Sequence, residues 1–224
     1  MSAENLNFNQ YADRRLFTDY IHDHWMKQIY DLFQWTETPI DKSDHQIWVN
    51  DVKHAQDYYV TTKTGAPLTI QERNRTGEQA LNYNDITIRY TYPEYSQNYQ
   101  LSEWFKLDAD IMIYTVIGHQ PKKLSDMDQY ATFDKIIVIN LRLLEKYIHQ
   151  KRIQISEKLQ SQTSMFASHQ STPILLSPLR HNHGHKGDSP SDFIVFDVQQ
   201  LYQLDPKLIG YDKGFHTPKD ILKG

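Results

Sequence analysis

An aspartate, a glutamine and an arginine in the stretch 57-DYYVTTKTGAPLTIQERNR-75 have the types and spacing to handle a phosphodiester. Lys63, Thr64 and Gly65 separate two strand-like runs, 57–62 and 68–75. Glycine in the third place of a three-residue loop readily takes the left-handed conformation that forms a bulge. Such a loop pairs Thr62 with Ala66, so Val60 faces Leu68, Tyr59 faces Thr69 and Asp57 faces Gln71. Directly opposed residues lie roughly 4.5–5.5 Å apart. Alternation then puts Tyr58, Val60, Leu68 and Ile70 on one apolar face, with Glu72 at its frayed end, and Asp57, Gln71 and Arg73 on the other. Two facing oxygen donors suit Mg2+, which takes oxygen ligands, keeps several waters and needs few protein carboxylates. The ion would activate a bound water and neutralise charge at phosphorus, and a neighbouring cation stabilises the same developing charge. The plain alternative is a solvated sheet face closed by an ion pair.

The elements around this hairpin follow from periodicity. Residues 11–35 read as an amphipathic helix with Leu16, Phe17, Tyr20, Ile21, Met26, Ile29, Tyr30, Leu32 and Phe33 on its apolar side, ended by Thr38-Pro39. Asp19 and Asp23 stand four residues apart on that helix and share a face. A short helix is expected over 47–55, and the alternating run 85–92 is a strand closed by Pro93 and a Tyr-rich loop over 93–101. The run 110–117 is apolar on both faces, the mark of a central strand. Strand then helix recurs at 135–140 with 141–151, and at 193–198 with 199–204. Between them, 158–190 is rich in Ser, Gln, Pro, His and Gly and reads as a long loop. Asp85 and Asp110 begin strands where aspartate commonly caps a turn. The pattern predicts one α/β domain over 1–224, a mixed β-sheet flanked by helices, with its core at about 11–157 and 191–215.

Bulk properties narrow the function. The chain has 24 basic and 28 acidic residues, so it carries no global footprint of a non-specific nucleic-acid binder. A local basic groove would serve instead, and Arg75 and Arg89 either line it or simply sit in solvent. Cysteine is absent, which removes disulfide and thiolate chemistry and fits a reducing compartment. The N-terminus lacks the apolar run of a secretory signal, and no stretch approaches the roughly 20 apolar residues that span a bilayer. A cytoplasmic protein without a membrane partner is the expectation. In 180-RHNHGHK-186, His181, His183 and His185, with Asp188 as a fourth donor, could hold Zn2+ or Ni2+ only if the loop were rigid; a loop or phosphate-contact role ranks ahead. The tyrosines at 83, 90, 92, 95 and 99 read as mixed core and surface ahead of base stacking.

Asp57, Gln71 and Arg73 also match a known arrangement. The hairpin resembles the PD-(D/E)XK nuclease superfamily, in which an aspartate on one strand faces a (D/E/Q)-x-K motif on its partner. More narrowly, 56-QDY-58, 70-IQERNR-75, 85-DITIRY-90, 103-EWFKLDADI-111, 193-FIVFDV-198 and 213-KGF-215 are similar to an ordered series of blocks in phage and prophage proteins of that group. The resemblance touches most of the chain from about 51 to 215. It implies a restriction-endonuclease-like core and an Mg2+- or Mn2+-dependent DNA endonuclease or related phosphodiesterase in the host-cell cytoplasm. Asp57 and Gln71 would be metal ligands, with Asp23, preferred over Asp19, as the acid from the first helix. Arg73 stands at the lysine position, and Glu72 joins the catalytic set if local twist turns it inward. DNA is the implied partner, with a second copy of the chain or another protein as further candidates. Two departures matter: Gln71 is neutral, which weakens metal affinity, and Arg73 cannot serve as a base. They motivate an alternative, a catalytically inactive nuclease-fold module acting as a DNA- or protein-binding phage accessory factor.

Overall fold

The computed structural model describes residues 5–7, 11–39, 56–90, 103–130, 132–155, 174–176, 179–180 and 192–215. The amphipathic N-terminal run forms α1 (Tyr11–Ile21) and α2 (Lys27–Phe33), joined by a π turn over His22–Met26. That turn faces His22, Trp25 and Met26 inward. The helix stops where Gln34 adopts a left-handed conformation, φ 55°, and the amides of Gln34 and Trp35 bond back to Asp31 and Tyr30. Leu16 and Leu32, expected on the apolar side, are exposed.

The hairpin forms in the expected register. β2 (Tyr58–Thr61) pairs antiparallel with β3 (Pro67–Thr76), matching Tyr59 with Thr69 and Val60 with Leu68. Gly65 has φ 82°, and the Thr62 amide donates to Ala66 O at 2.8 Å. β3 then continues alongside β5 (Ile111–Ile117) in parallel from Ile70 to Thr76. Glu72 therefore lies in mid-strand, not at a frayed end, because its second neighbour extends past the first.

β5 is central, as its two-faced apolar sequence requires. The six-stranded sheet runs β1-β2-β3-β5-β6-β11, with β1 at Thr36–Glu37, β6 at Lys135–Asn140 and β11 at Ile209–Lys213. One face packs on α1 and α2 through Phe17, Ile21, Met26, Ile29, Tyr58, Val60, Ile70 and Ile113. The other, carrying Met112, Tyr114 and Val116, packs on a second layer. That layer holds β4 (Asp85–Tyr90), β10 (Asp192–Asp197), α4 (Leu141–His149) and α5 (Val198–Leu204). The two strand-to-helix passages are alike: Asn140 and Asp197 end their strands and accept, through their side chains, the amides of Leu143 and Gln200. Asp110 fixes the start of β5 against β3 by accepting from the Thr69 amide and hydroxyl at 2.8 and 2.9 Å.

Mixed α/β architecture is as expected, with a further local correction. Short strands β8 (Ile174–Leu176) and β9 (Leu179–Arg180) lie within the segment read as a loop, pairing with β7 (Ile153–Ile155) and β10. The helix expected over 47–55, the loop over 93–101 and the histidines 181, 183 and 185 with Asp188 lie outside the described residues. No helix among the described residues is long and apolar enough to cross a membrane.

Candidate functional site

β3 presents alternate side chains to two different layers, and its polar residues form two separate clusters. On the side of the second layer, the Asp57 amide donates to Ile70 O at 2.9 Å, which fixes the start of β2. Asp57 Oδ2 accepts from Gln71 Nε2 at 2.8 Å and from the Glu72 amide at 2.9 Å. The sequence-predicted pair is thus in contact. Gln71 is only 9% exposed, and its NH2 group also lies 3.4 Å from Glu72 O. An amide NH2 stands between two oxygens at a place where a cation would find the same two. Gln71 Oε1 is buried and accepts no hydrogen bond.

Arg73 comes next along this face and is no solvated cation. Its Nη1 donates to Glu103 at the start of α3 (Glu103–Lys106), with the two side chains 21% and 11% exposed. Burial pulls the guanidinium down, but Glu103, Tyr114 and Asp57 outweigh it and hold its pKa above the ordinary arginine value. Glu103 Oε2 also accepts the main-chain amide of Arg89 at 3.2 Å, while Oε1 is buried and accepts nothing. Arg75, expected in a phosphate groove, pairs with Asp85 at 3.1 Å and lies over the Tyr83 ring at 4.7 Å. Arg89 is exposed on β4.

The other side of β3 holds Glu72, which the sequence offered as a catalytic acid. Its side chain is fully buried and turned away from Gln71 and Arg73, toward the helices. His22 Nδ1 lies 3.1 Å from both carboxylate oxygens, and the Tyr30 hydroxyl donates to Oε1 at 2.5 Å. His22 Nε2 meets Glu37 Oε1 at 3.0 Å, and the Tyr58 ring stacks on the imidazole at 3.4 Å. Burial works against a charged His22, yet Glu72 and Glu37 outweigh it and raise its pKa. Burial likewise pushes Glu72 up against the opposing pull of His22 and Tyr30. The Tyr30 and Tyr58 hydroxyls are raised far beyond their usual range by burial and by the Glu72 charge. His22, Tyr30 and Glu37 of this cluster line a cleft of about 430 Å3 together with Asp23 and Trp35.

Asp57, Gln71 and Arg73 are therefore brought to one face, whereas Glu72 and Asp23 belong to the helix side. Asp19 pairs with Arg15 at 3.3 Å and acts on Tyr58. Among the described residues no group of three or more His, Asp or Glu side chains is arranged to hold a metal ion. A cation on the Asp57 face would rest on few carboxylates, on the Gln71 oxygen and on Glu72 O. Such an all-oxygen set suits Mg2+ or Mn2+. Gln71 Oε1 has no partner to hold it in place, and a half-turn of the amide would bring it to Asp57 while the NH2 takes its present position. Sequence reasoning missed Glu103 and His22. The first stood in a quoted block with no role given. The second precedes Met26 and Ile29 by four and seven residues, which places it on the buried side.

Compared with known proteins, the chain matches no family model, no curated protein and no solved structure.

Proposed function

We propose that the Asp57 face of β3 is the site of a Mg2+- or Mn2+-dependent DNA nuclease built on a restriction-endonuclease-like core, of the phage or prophage type. The observation that carries this reading is the Asp57–Gln71 contact across the hairpin, with an unfilled buried oxygen on Gln71 and a half-buried cation two residues on. The metal would supply Lewis-acid charge neutralisation and an acidified water. Asp57 Oδ2 and the rotated Gln71 amide would hold it, with Glu72 O beside them. Arg73 stays charged throughout and offers N–H donors to a phosphate oxygen, stabilising charge as it develops there. It accepts no proton, so proton removal falls to solvent or a phosphate oxygen. Arg89 lies exposed to meet the DNA backbone, and Arg75, with its carboxylate already in contact, orders β4 beside it. A cytoplasmic location suits the cysteine-free chain.

A second reading has its own observation. In the structure Arg73 is engaged by Glu103, and Gln71 satisfies Asp57 without any ion. A module that binds DNA or a protein without cutting is the form such a self-satisfied site takes. Purified protein incubated with duplex, branched and single-stranded DNA, with Mg2+ or Mn2+, separates the two. Metal-dependent cleavage that disappears in Asp57→Asn is the expected result. Absence of cleavage on every substrate with either ion overturns the nuclease and leaves the binding module.

A further inference from the structure

We infer that Glu103 supplies the second carboxylate of the Asp57 face, with Oε1 as a ligand to the cation that Asp57 and Gln71 hold. The inference rests on the metal-site reading above and adds a residue to it.

Two observations converge on Glu103. Its Oε2 is fixed by two donors from different sheets, Arg73 Nη1 on β3 and the Arg89 main-chain amide on β4. Its Oε1 is buried and accepts no hydrogen bond. A carboxylate serving only as counter-ion to arginine commonly offers both oxygens to the guanidinium fork. Here one oxygen takes the arginine and the other has no donor. A buried carboxylate oxygen without a partner is unfavourable unless something else fills it.

Gln71 Oε1, on the same face of β3 as Arg73, is likewise buried and unfilled. Gln71 and Arg73 project from alternate positions of β3, and the Arg73 guanidinium feels both Asp57 and Glu103. Both carboxylates thus lie within electrostatic range of one cationic head. The chemistry of the donor set points the same way. Asp57 with a neutral amide provides a single negative charge, at the low end of the one or two carboxylates on which Mg2+ sites are built. Glu103 restores the charge that glutamine at position 71 removes, from a different element of the fold.

Mn2+ binding to the full chain tests this without requiring any cleavage activity. Titration calorimetry and the paramagnetic resonance of free Mn2+ would be recorded for wild type, Asp57→Asn, Glu103→Gln and Glu103→Asp. Asp57→Asn and Glu103→Gln should each weaken binding by about tenfold or more. Glu103→Asp should weaken it too, because the charge stays but the reach shortens by one methylene. Wild-type affinity in Glu103→Gln or Glu103→Asp, with binding lost in Asp57→Asn, would leave Glu103 as a counter-ion to Arg73 and overturn the inference while keeping the metal site. No binding by wild type at millimolar Mn2+ would overturn the metal site itself and this inference with it. Thermal unfolding without metal checks each fold; should Glu103→Gln unfold, the aspartate variant decides alone.

Discussion

On the helix side of β3, both carboxylate oxygens of Glu72 and both ring nitrogens of His22 have partners, with Tyr30 closing the set. On the other side, one position before Glu72 and one after it, Gln71 and the Glu103 that meets Arg73 each leave a buried oxygen unfilled. One strand thus carries a saturated polar cluster and an unsaturated one, back to back. The saturated cluster has the features that draw notice as chemistry: a histidine between two glutamates, a short tyrosine hydrogen bond and a cleft. Yet the Glu72 oxygens, the His22 nitrogens and the Tyr30 hydroxyl all have partners, and the fully buried acid joins helix to sheet. The unsaturated cluster has no histidine and a glutamine where an acid is expected. What distinguishes a structural polar cluster from a candidate site here is the unfilled oxygen, not the number of ionisable groups.

The largest expected effect lies on the saturated side. Removing one member of a buried charged pair leaves the other without compensation and destabilises by about 3–5 kcal/mol. Glu72→Ala should lose an amount of that order in urea unfolding, while Gln71→Ala, which removes one hydrogen bond to Asp57, should lose about 1 kcal/mol. Equal losses at the two positions would break the contrast between the faces.

The same side should also set the alkaline limit of stability. His22 has a folded pKa raised above its unfolded value, despite its burial, by Glu72 and Glu37. Its contribution is therefore fully present below about pH 6.5 and is lost as pH rises through the raised folded value. Burial raises Glu72 as well, so both members act in the same direction. Wild type should lose stability on passing from neutral to alkaline pH, and His22→Gln should show a flatter profile from a lower start. An unchanged slope in His22→Gln would remove His22 from the account. Asp110 acts at the other end of the scale. Burial pushes it up, but the Thr69 amide and hydroxyl and Arg142 hold it below the usual carboxylate range, so its contribution is lost as pH falls through that lowered value.

How much of this was legible depended on how local the determinants were. The hairpin register follows from Gly65 and from alternation over a few residues, and the Asp57–Gln71 contact follows from the register. The two-faced apolar run of β5 announced a central strand, and the strand-then-helix rhythm at 135–151 and 193–204 was legible from periodicity. Glu72 was misplaced at a frayed end because the length of β3 is set by β5, about forty residues later in the chain. Glu103 was unreadable as a site residue for the same reason, since its position depends on β3 and β4 meeting across two sheets. Nor does periodicity reveal the π turn that points His22 at Glu72. Asp23, expected as the acid from the first helix, lines the cleft beside His22 and Glu37 on the helix side.

The smallest expected stability effect falls on the unsaturated side and sharpens the comparison most. Gln71→Glu puts a carboxylate against Asp57 where an NH2 group now donates at 2.8 Å. Without metal, two facing carboxylates repel and one of them is driven to hold a proton, so the variant should be less stable than wild type by about 1 kcal/mol at neutral pH. With Mn2+ the sign should reverse, because an added carboxylate ligand should tighten binding by about tenfold, or roughly 1.4 kcal/mol. The measurement is the unfolding midpoint with and without Mn2+, compared between the two proteins. A variant that loses stability in both conditions would mean that the Gln71 oxygen faces no cation, and the Asp57 face would then be as purely structural as the Glu72 face behind it.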